Sequence, residues 1–227
     1  MNVNLRTKLT AGAIGLVALA GAAVLTPAAA ATASAPAAGA TVNTQDPTQL
    51  VQDVANNILK ALDANRSAYL NNPQKVRELA DQYLDPYFDS RYSAQLVLGR
   101  YWRTATEDQR TKFIEAFKNS MLQNYGNALV NFTANRLKVQ PGHVDPGSDL
   151  ATVSTTIARD NGTTVPVMYV LHKTPEGWKA WDVKIEGISY VKSFKDDFGA
   201  QIDQKGLDAV IARLQSGERP AGLPAAK

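Results

Sequence analysis

The chain has no cysteine and only two histidines among its 227 residues. Without a thiol there is no cysteine nucleophile, no thiolate metal ligand and no disulfide, even in an oxidising compartment. His143 sits in a Pro/Gly-rich loop and His172 near a strand end. Neither has an Asp, Glu or Ser at the spacing that a triad or a zinc site requires. A G-x-S-x-G elbow is also missing. Asp182 and Glu186 share a strand face, but at ~3.3 Å per residue they lie about 13 Å apart, too far for an acid–base pair. Asp196-Asp197 and Glu107-Asp108 read as solvated helix turns. The sequence offers no catalytic residue, no metal site and no cofactor motif.

An excess of one charge is lacking too. The 24 Lys and Arg face 21 Asp and Glu, interspersed and without the clustered basic face that nucleic acid needs. Residues 1–33 read as a cleavable export signal. Arg6 and Lys8 precede a weakly apolar, Ala/Gly-rich run over 9–25, and small residues then offer A-x-A sites ending at Ala30, Ala33 or Ala35. A membrane span needs about 20 strongly apolar residues, more than this run supplies, and no cysteine follows it for lipid attachment. Loss of the leader removes Arg6 and Lys8, so the mature chain is close to neutral. Residues 34–45 lack periodicity and read as a disordered linker, 46–216 as one domain, and 217–227 as a flexible tail. About 195 residues suffice for a single hydrophobic core.

What is present is a clear change of period. Asp46-Pro47 and Asn72-Pro73 are helix starts, a capping residue followed by proline at the first helical position. The first helix carries Leu50, Val54, Ile58 and Leu62 to about Asn65, the second Val76, Leu79, Ala80 and Tyr83. Asp85-Pro86 opens a third helix to about Trp102 with Phe88, Tyr92 and Leu96 on one face. Thr106-Glu107-Asp108-Gln109 is a capping box, and Phe113, Phe117, Met121 and Tyr125 follow at i+4 down a helix to about Phe132. From there the pattern is β-rich over 137–139, 151–158, 164–173 and 178–185, divided by Gly, Pro, Asn and Asp clusters. Glu186-Gly187 ends the sheet, a helix follows to about Gln204, and Gly206 precedes a last short helix with Leu207, Val210, Ile211 and Leu214. The fold class is α+β: N-terminal helices packed on a twisted antiparallel sheet of about four strands, then C-terminal helices.

Four stretches in this order are similar to one family. They are Leu98-Gly99-Arg100-Tyr101-Trp102-Arg103, then Phe113 to Phe117 leading to Tyr125-Gly126, then Gly177-Trp178-Lys179-Ala180-Trp181-Asp182 with Glu186-Gly187-Ile188-Ser189, and Lys205-Gly206-Leu207-Asp208. Together they resemble the MlaC-type periplasmic phospholipid-binding proteins, the toluene-tolerance family, over essentially the whole mature domain. The resemblance implies a periplasmic carrier that shuttles phospholipid between an outer-membrane lipoprotein–porin complex and an inner-membrane ABC transporter with its periplasmic lipid-transfer subunit. It would work without catalysis, as a monomer, and would maintain outer-membrane lipid asymmetry. Its cargo would sit with the acyl tails in an apolar cavity between sheet and helices and the headgroup outside. Each buried CH₂ is worth about 0.8 kcal/mol. Two chains of ~16 carbons therefore hold a lipid in its membrane by more than ~20 kcal/mol, and transfer through water needs a dry container.

Residues for that container follow from strand register. A two-residue Asn161-Gly162 turn would set Ile157 against Pro166, Thr155 against Met168 and Val153 against Val170. A four-residue loop over 174–177 would set Lys173 against Trp178, and hence Val170 against Trp181 and Met168 against Val183. This register places Val153, Ile157, Met168, Val170, Trp181 and Val183 on one face, meeting Leu96, Phe113, Phe117, Met121 and Tyr125 to wall the tails. Thr152, Ser154, Thr156, Tyr169, Asp182 and Lys184 take the other face. Arg100 and Arg103 are the candidates for headgroup or partner contact. Two other readings use the same residues differently: an enzyme with Asp182, Tyr169 or His172 inside a cavity of a similar cone-shaped fold, and an interaction module with a solid core.

Overall fold

The computed structural model of the protein describes residues 41–218, save 71, 131–136 and 159–161. The expected export signal and most of the expected tail lie outside the described residues. Capping chemistry sets the first helices as the sequence predicts. Helix α1 spans Pro47–Tyr69, and the Asp46 carboxylate accepts from the Gln49 backbone N–H at 2.8 Å. At Asn65, where the apolar pattern ends, the backbone leaves the helical region (φ −160°, ψ 59°) before one further turn. Helix α2, Pro73–Tyr83, is capped by Asn72 accepting from Lys75 N. The capping box closes both ways: Gln109 N donates to Thr106 Oγ1, and Thr106 N donates to Gln109 Oε1, each at 3.1 Å. Helix α5, Glu107–Val130, starts there.

The expected single helix from Asp85 to Trp102 is three pieces. A 3₁₀ turn at Asp85–Tyr87 gives way to extended backbone at Phe88, Asp89 restarts the chain as the cap of α3 (Ser90–Leu98), and Gly99 breaks it again before α4 (Arg100–Thr104). The sheet causes the first break. Asp89 N donates to Ala180 O at 2.8 Å, and Phe88 bridges Ala180, so these two residues cover a strand edge instead of continuing a helix. Gly99 causes the second, with φ 52° and ψ −116°, a conformation glycine alone adopts without strain.

Six strands form one antiparallel sheet among the described residues: β1 (Leu137–Val139), β2 (His143–Val144), β3 (Leu150–Ala158), β4 (Thr164–Thr174), β5 (Gly177–Ile185) and β6 (Ile188–Ser189). Their order is β1-β3-β4-β5-β6, with β2 also on β3. Two short strands, β2 and β6, thus add to the four expected. Helices α6 (Tyr190–Lys205) and α7 (Leu207–Gln215) complete the α+β fold. The segment before α1 is held rather than loose from Val42 on, against the expectation of a linker to residue 45. Val42 packs against the sheet, Thr44 O accepts from Trp178 N at 2.7 Å, and Thr44 Oγ1 donates to Glu176 O. Gly177 permits this approach, because a Cβ there would lie 2.5 Å from Thr44 O.

The strand register differs from expectation in both hairpins. Ala158 pairs with Thr164, so five residues, not two, connect β3 to β4, and the pairing shifts by one: Val153 faces Tyr169, Thr155 faces Val167 and Ile157 faces Val165. In the second hairpin Lys173 faces Trp178 as expected, and Leu171 faces Ala180. A bulge then intervenes, setting Val170 against Asp182 and Met168 against Lys184. The bulge places Trp181 where its carbonyl accepts from Ser93 Oγ of α3, and Asp182 where its carboxylate meets the start of α6. Met168 and Val170 are therefore not on the face of Val153 and Ile157, and Tyr169 is.

Apolar packing gathers into three clusters. Leu50 of α1 meets Ala151, Val153, Leu171 and Trp178, so the face carrying Val153 is the inner face of the sheet. Ile58, Leu62, Val76, Leu79 and Val130 join α1, α2 and α5, with Val54 touching both of these clusters. The third and largest packs α3 to α7 around Phe113, Phe194 and Phe198.

Candidate functional site

The inner face of the sheet is packed by α1 at one end. Ala151, Val153 and Leu171 are packed by Leu50 and almost fully buried. Two residues further along β3, Thr155 is 1 % exposed and its partner Val167 5 %, and Val165 is 9 % exposed. One step further Ile157 is half-buried and its partner Val165 buried, and on β5 Val183 and Ile185, opposite Tyr169 and Val167, are half-buried. Val165 and Val167 thus form an apolar strip of wall that is shielded from solvent.

The sequence-predicted wall divides when placed on this geometry. Val153 lies at the closed end, and Ile157 and Val183 flank the strip. Met168 and Val170 lie on the outer face, and Trp181 turns in the bulge towards Tyr92, edge to face at 5.6 Å. Phe113 and Phe117 are core residues of the helical cluster. Phe117 meets Phe194 edge to face at 4.7 Å and Phe113 meets Phe198 at 6.0 Å, so these two pack on α6, in a cluster that Trp181 and Ile185 of β5 also touch. Leu96 and Met121 lean on the same cluster, and Tyr125 stands against Tyr190 at 5.3 Å. The sequence reading missed Val165 and Val167. Its one available signal was the length of the β3–β4 connection, which decides the parity of β4.

The polar candidates scatter as well. Arg100 holds Asp203 through both carboxylate oxygens, at 2.6 and 2.8 Å, and lies over Tyr101, whereas Arg103 is exposed. His172 meets Asp89 at 3.1 Å beneath Tyr92, and Asp182 bonds the start of α6. Tyr169 alone of the three enzyme candidates faces inward. They lie on two faces of the sheet and form no common centre. Among the described residues no group of His, Asp and Glu is placed to hold a metal ion. Two solvent-open clefts of about 360 and 440 Å³ lie between α6 and α7 and between the α3–α4 elbow and α6, and no sheet residue lines either.

Burial raises the Tyr169 phenol above the ordinary tyrosine range, opposed by its hydrogen bond to Thr155. Tyr190 is raised too, by burial first and then by Tyr125 and Glu186. Both are neutral phenols in the fold, so the stability they bring is complete below the unfolded value near pH ~10 and is lost as pH rises through the folded values. Alkaline melts should therefore steepen above about pH 10, with tyrosinate absorbance at these positions appearing together with unfolding. Tyr169→Phe should flatten that dependence, and an unchanged profile would remove Tyr169 from it.

Helices packed on an antiparallel sheet, with a buried apolar strip on its inner face, define a domain of the α+β class. The family model for "MlaC protein" matches residues 52–216. The chain is 33 % identical over 168 residues to the toluene tolerance protein ttg2D of Pseudomonas putida, covering 74 % of this chain and 78 % of that one. It is 24 % identical over 173 residues to the intermembrane phospholipid transport system binding protein MlaC of Haemophilus influenzae, covering 74 % and 80 %. Among solved structures, the phospholipid-binding protein from Ralstonia solanacearum in complex with a phospholipid superposes with TM-score 0.69 at 26 % identity, over 76 % of this chain and 96 % of that one. The chain belongs to the MlaC family.

Proposed function

We propose that this protein is a periplasmic phospholipid carrier that takes the acyl tails of its cargo against the inner face of the sheet. The observation that carries the reading is the buried apolar inner face of the sheet, Val153, Val165 and Val167, in a fold whose Ralstonia relative is solved with a phospholipid. An apolar wall of this kind takes methylenes out of water at about 25 cal/mol per Å² and asks nothing of catalysis. Ile157 and Val183, both half-buried, extend the wall at its margins. In the cell the carrier would move lipid between an outer-membrane lipoprotein–porin complex and an inner-membrane ABC transporter with its lipid-transfer subunit, serving outer-membrane lipid asymmetry. With Arg100 tied to Asp203, Arg103 is the better placed of the two arginines for partner contact.

Organic extraction of the purified protein followed by mass spectrometry tests the reading. Phospholipid should co-purify, and its absence from protein prepared without detergent would sink it. Lipid bound only to the folded state adds RT ln(1 + [L]/Kd), about 2.7 kcal/mol at a hundredfold excess over Kd. For a domain of this size that corresponds to roughly 5–10 °C. Delipidation should lower the melting temperature by about that much, and added phospholipid should restore it.

A further inference from the structure

We propose that the cleft between the α3–α4 elbow and α6 is a docking site for an acidic side chain of a partner protein. The inference rests on the carrier reading, because a carrier has to be recognised by the proteins with which it exchanges lipid. The cleft measures about 440 Å³, and buried Val97 and Leu98 give it an apolar lining. Gly99, Arg100 and Tyr101 of the elbow wall it together with Lys195, Gly199 and Asp203 of α6. The three α6 residues recur at every fourth position and so share one face of the helix.

Two cations meet one acid in this cleft. Arg100 bonds Asp203 and the Tyr101 hydroxyl, but through Nη2 alone, at 2.6 to 2.8 Å. Its Nε and Nη1 hold no acceptor among the described residues. Lys195 is exposed, and its Cε lies 3.5 Å from where a Cβ on Gly99 would stand. It has no carboxylate partner among the described residues. The Tyr101 hydroxyl donates to Gly199 O at 3.0 Å and so ties the two walls together, with the Arg100 guanidinium 4.8 Å from the centre of its ring. Arg103, exposed on the same elbow, adds a further cation. Arginine and tyrosine beside a concave apolar surface are the residues that carry binding energy at protein interfaces. The positive balance selects a carboxylate as the group they take.

Gly199 supplies an independent observation. Inside a helix, glycine is the least favourable residue apart from proline, and it is tolerated where backbones approach closely or φ is positive. Neither condition holds here. Gly199 has no positive φ, and a Cβ built on it would meet nothing within 4 Å beyond its own helix turn. The chain leaves room unfilled on the wall of the cleft. An ordinary surface ion pair accounts for Arg100 and Asp203, but not for open space beside a lysine without a carboxylate. A partner's carboxylate entering that space finds Lys195 and Arg100 as its donors.

The test uses the full mature protein and three probes: the purified outer-membrane lipoprotein–porin complex, the purified lipid-transfer subunit of the inner-membrane transporter, and phosphatidylglycerol vesicles. Gly199→Gln fills the cleft without changing its charge. It should raise the melting temperature by about 2–3 °C and weaken binding to at least one protein probe by about tenfold. Lys195→Glu should weaken the same binding by about tenfold, and Lys60→Glu, the same charge change on the exposed surface of α1, by less than about twofold. Asp203→Asn, which releases Arg100, should tighten it by about threefold. Lipid phosphorus per mole of protein should stay at the wild-type level in every variant. Binding at wild-type strength by both Gly199→Gln and Lys195→Glu, or a loss that Lys60→Glu shares, overturns the proposal and leaves the carrier reading intact. A loss confined to the vesicles overturns it too, in favour of a membrane contact. Wild type that carries phospholipid but binds neither protein probe overturns the proposal alone, whereas wild type that carries no phospholipid removes the carrier reading and the proposal with it.

Discussion

Val167→Trp is expected to yield folded protein that has lost at least about nine-tenths of its phospholipid, and Met168→Trp, one residue on, protein that keeps it. The two positions are adjacent on β4 and both apolar, so only the face distinguishes them. Val167 pairs with Thr155 and Ile185 on the inner face, Met168 with Ser154 and Lys184 on the outer. Enlarging a side chain in a well-packed core costs about 1–3 kcal/mol. Val167 is 5 % exposed on the face proposed to take the tails, so an indole there should displace cargo before it displaces the fold. Lipid phosphorus per mole of protein, measured beside a circular-dichroism melt, separates the two outcomes. Lipid retained by Val167→Trp and lost by Met168→Trp would return the cavity to the face originally expected from the sequence.

Asp182→Ala should lower stability by about 3 kcal/mol, or roughly 6–12 °C in melting temperature for a domain of this size. The carboxylate is 2 % exposed. It accepts from Ser189 Oγ at 2.6 Å and from Val191 N at 3.0 Å, while Ser189 itself caps α6 through Lys192 N. One side chain on β5 thus fixes both the cap and the first turn of the helix that carries Phe194 and Phe198 into the helical core. Alanine leaves the Val191 N–H buried without a partner, and asparagine, which keeps an acceptor, should cost about half as much. A melt within 2 °C of wild type for Asp182→Ala would mean that α6 is held by its apolar face alone. The spacing of Asp182 to Glu186 argues in the sequence against an acid–base pair but does not say what Asp182 bonds.

Glu186 takes a positive φ of 51° and Gly187 one of 84° in the tight turn between β5 and β6. The Glu-Gly pair that marks the end of the long strand is therefore a hairpin turn, and two more residues of sheet follow it. Turn chemistry is visible in the sequence; a two-residue strand is not, because it carries too few side chains to show a period.

Local chemistry was determined by the sequence alone. Asp46, Asn72 and the Thr106–Gln109 box place three helix starts because a cap is a bond from residue i to i+3 and depends on nothing distant. The end of the α1 stripe at Asn65, the pairing of Lys173 with Trp178 beside their turn, and the α+β order are legible for the same reason. Only the tertiary structure decided the faces. From Val165 to Leu171 strand β4 contains no charged residue and only one polar atom, the Tyr169 hydroxyl, so either parity gives an apolar wall. The choice is made by the five-residue connection ahead of the strand and by the bulge at Trp181, which bonds to α3 and aims Asp182 at α6. Likewise Phe113 and Phe117 form a readable stripe, but whether it meets the sheet or α6 depends on partners some 80 residues away in the chain, and no local period encodes that contact.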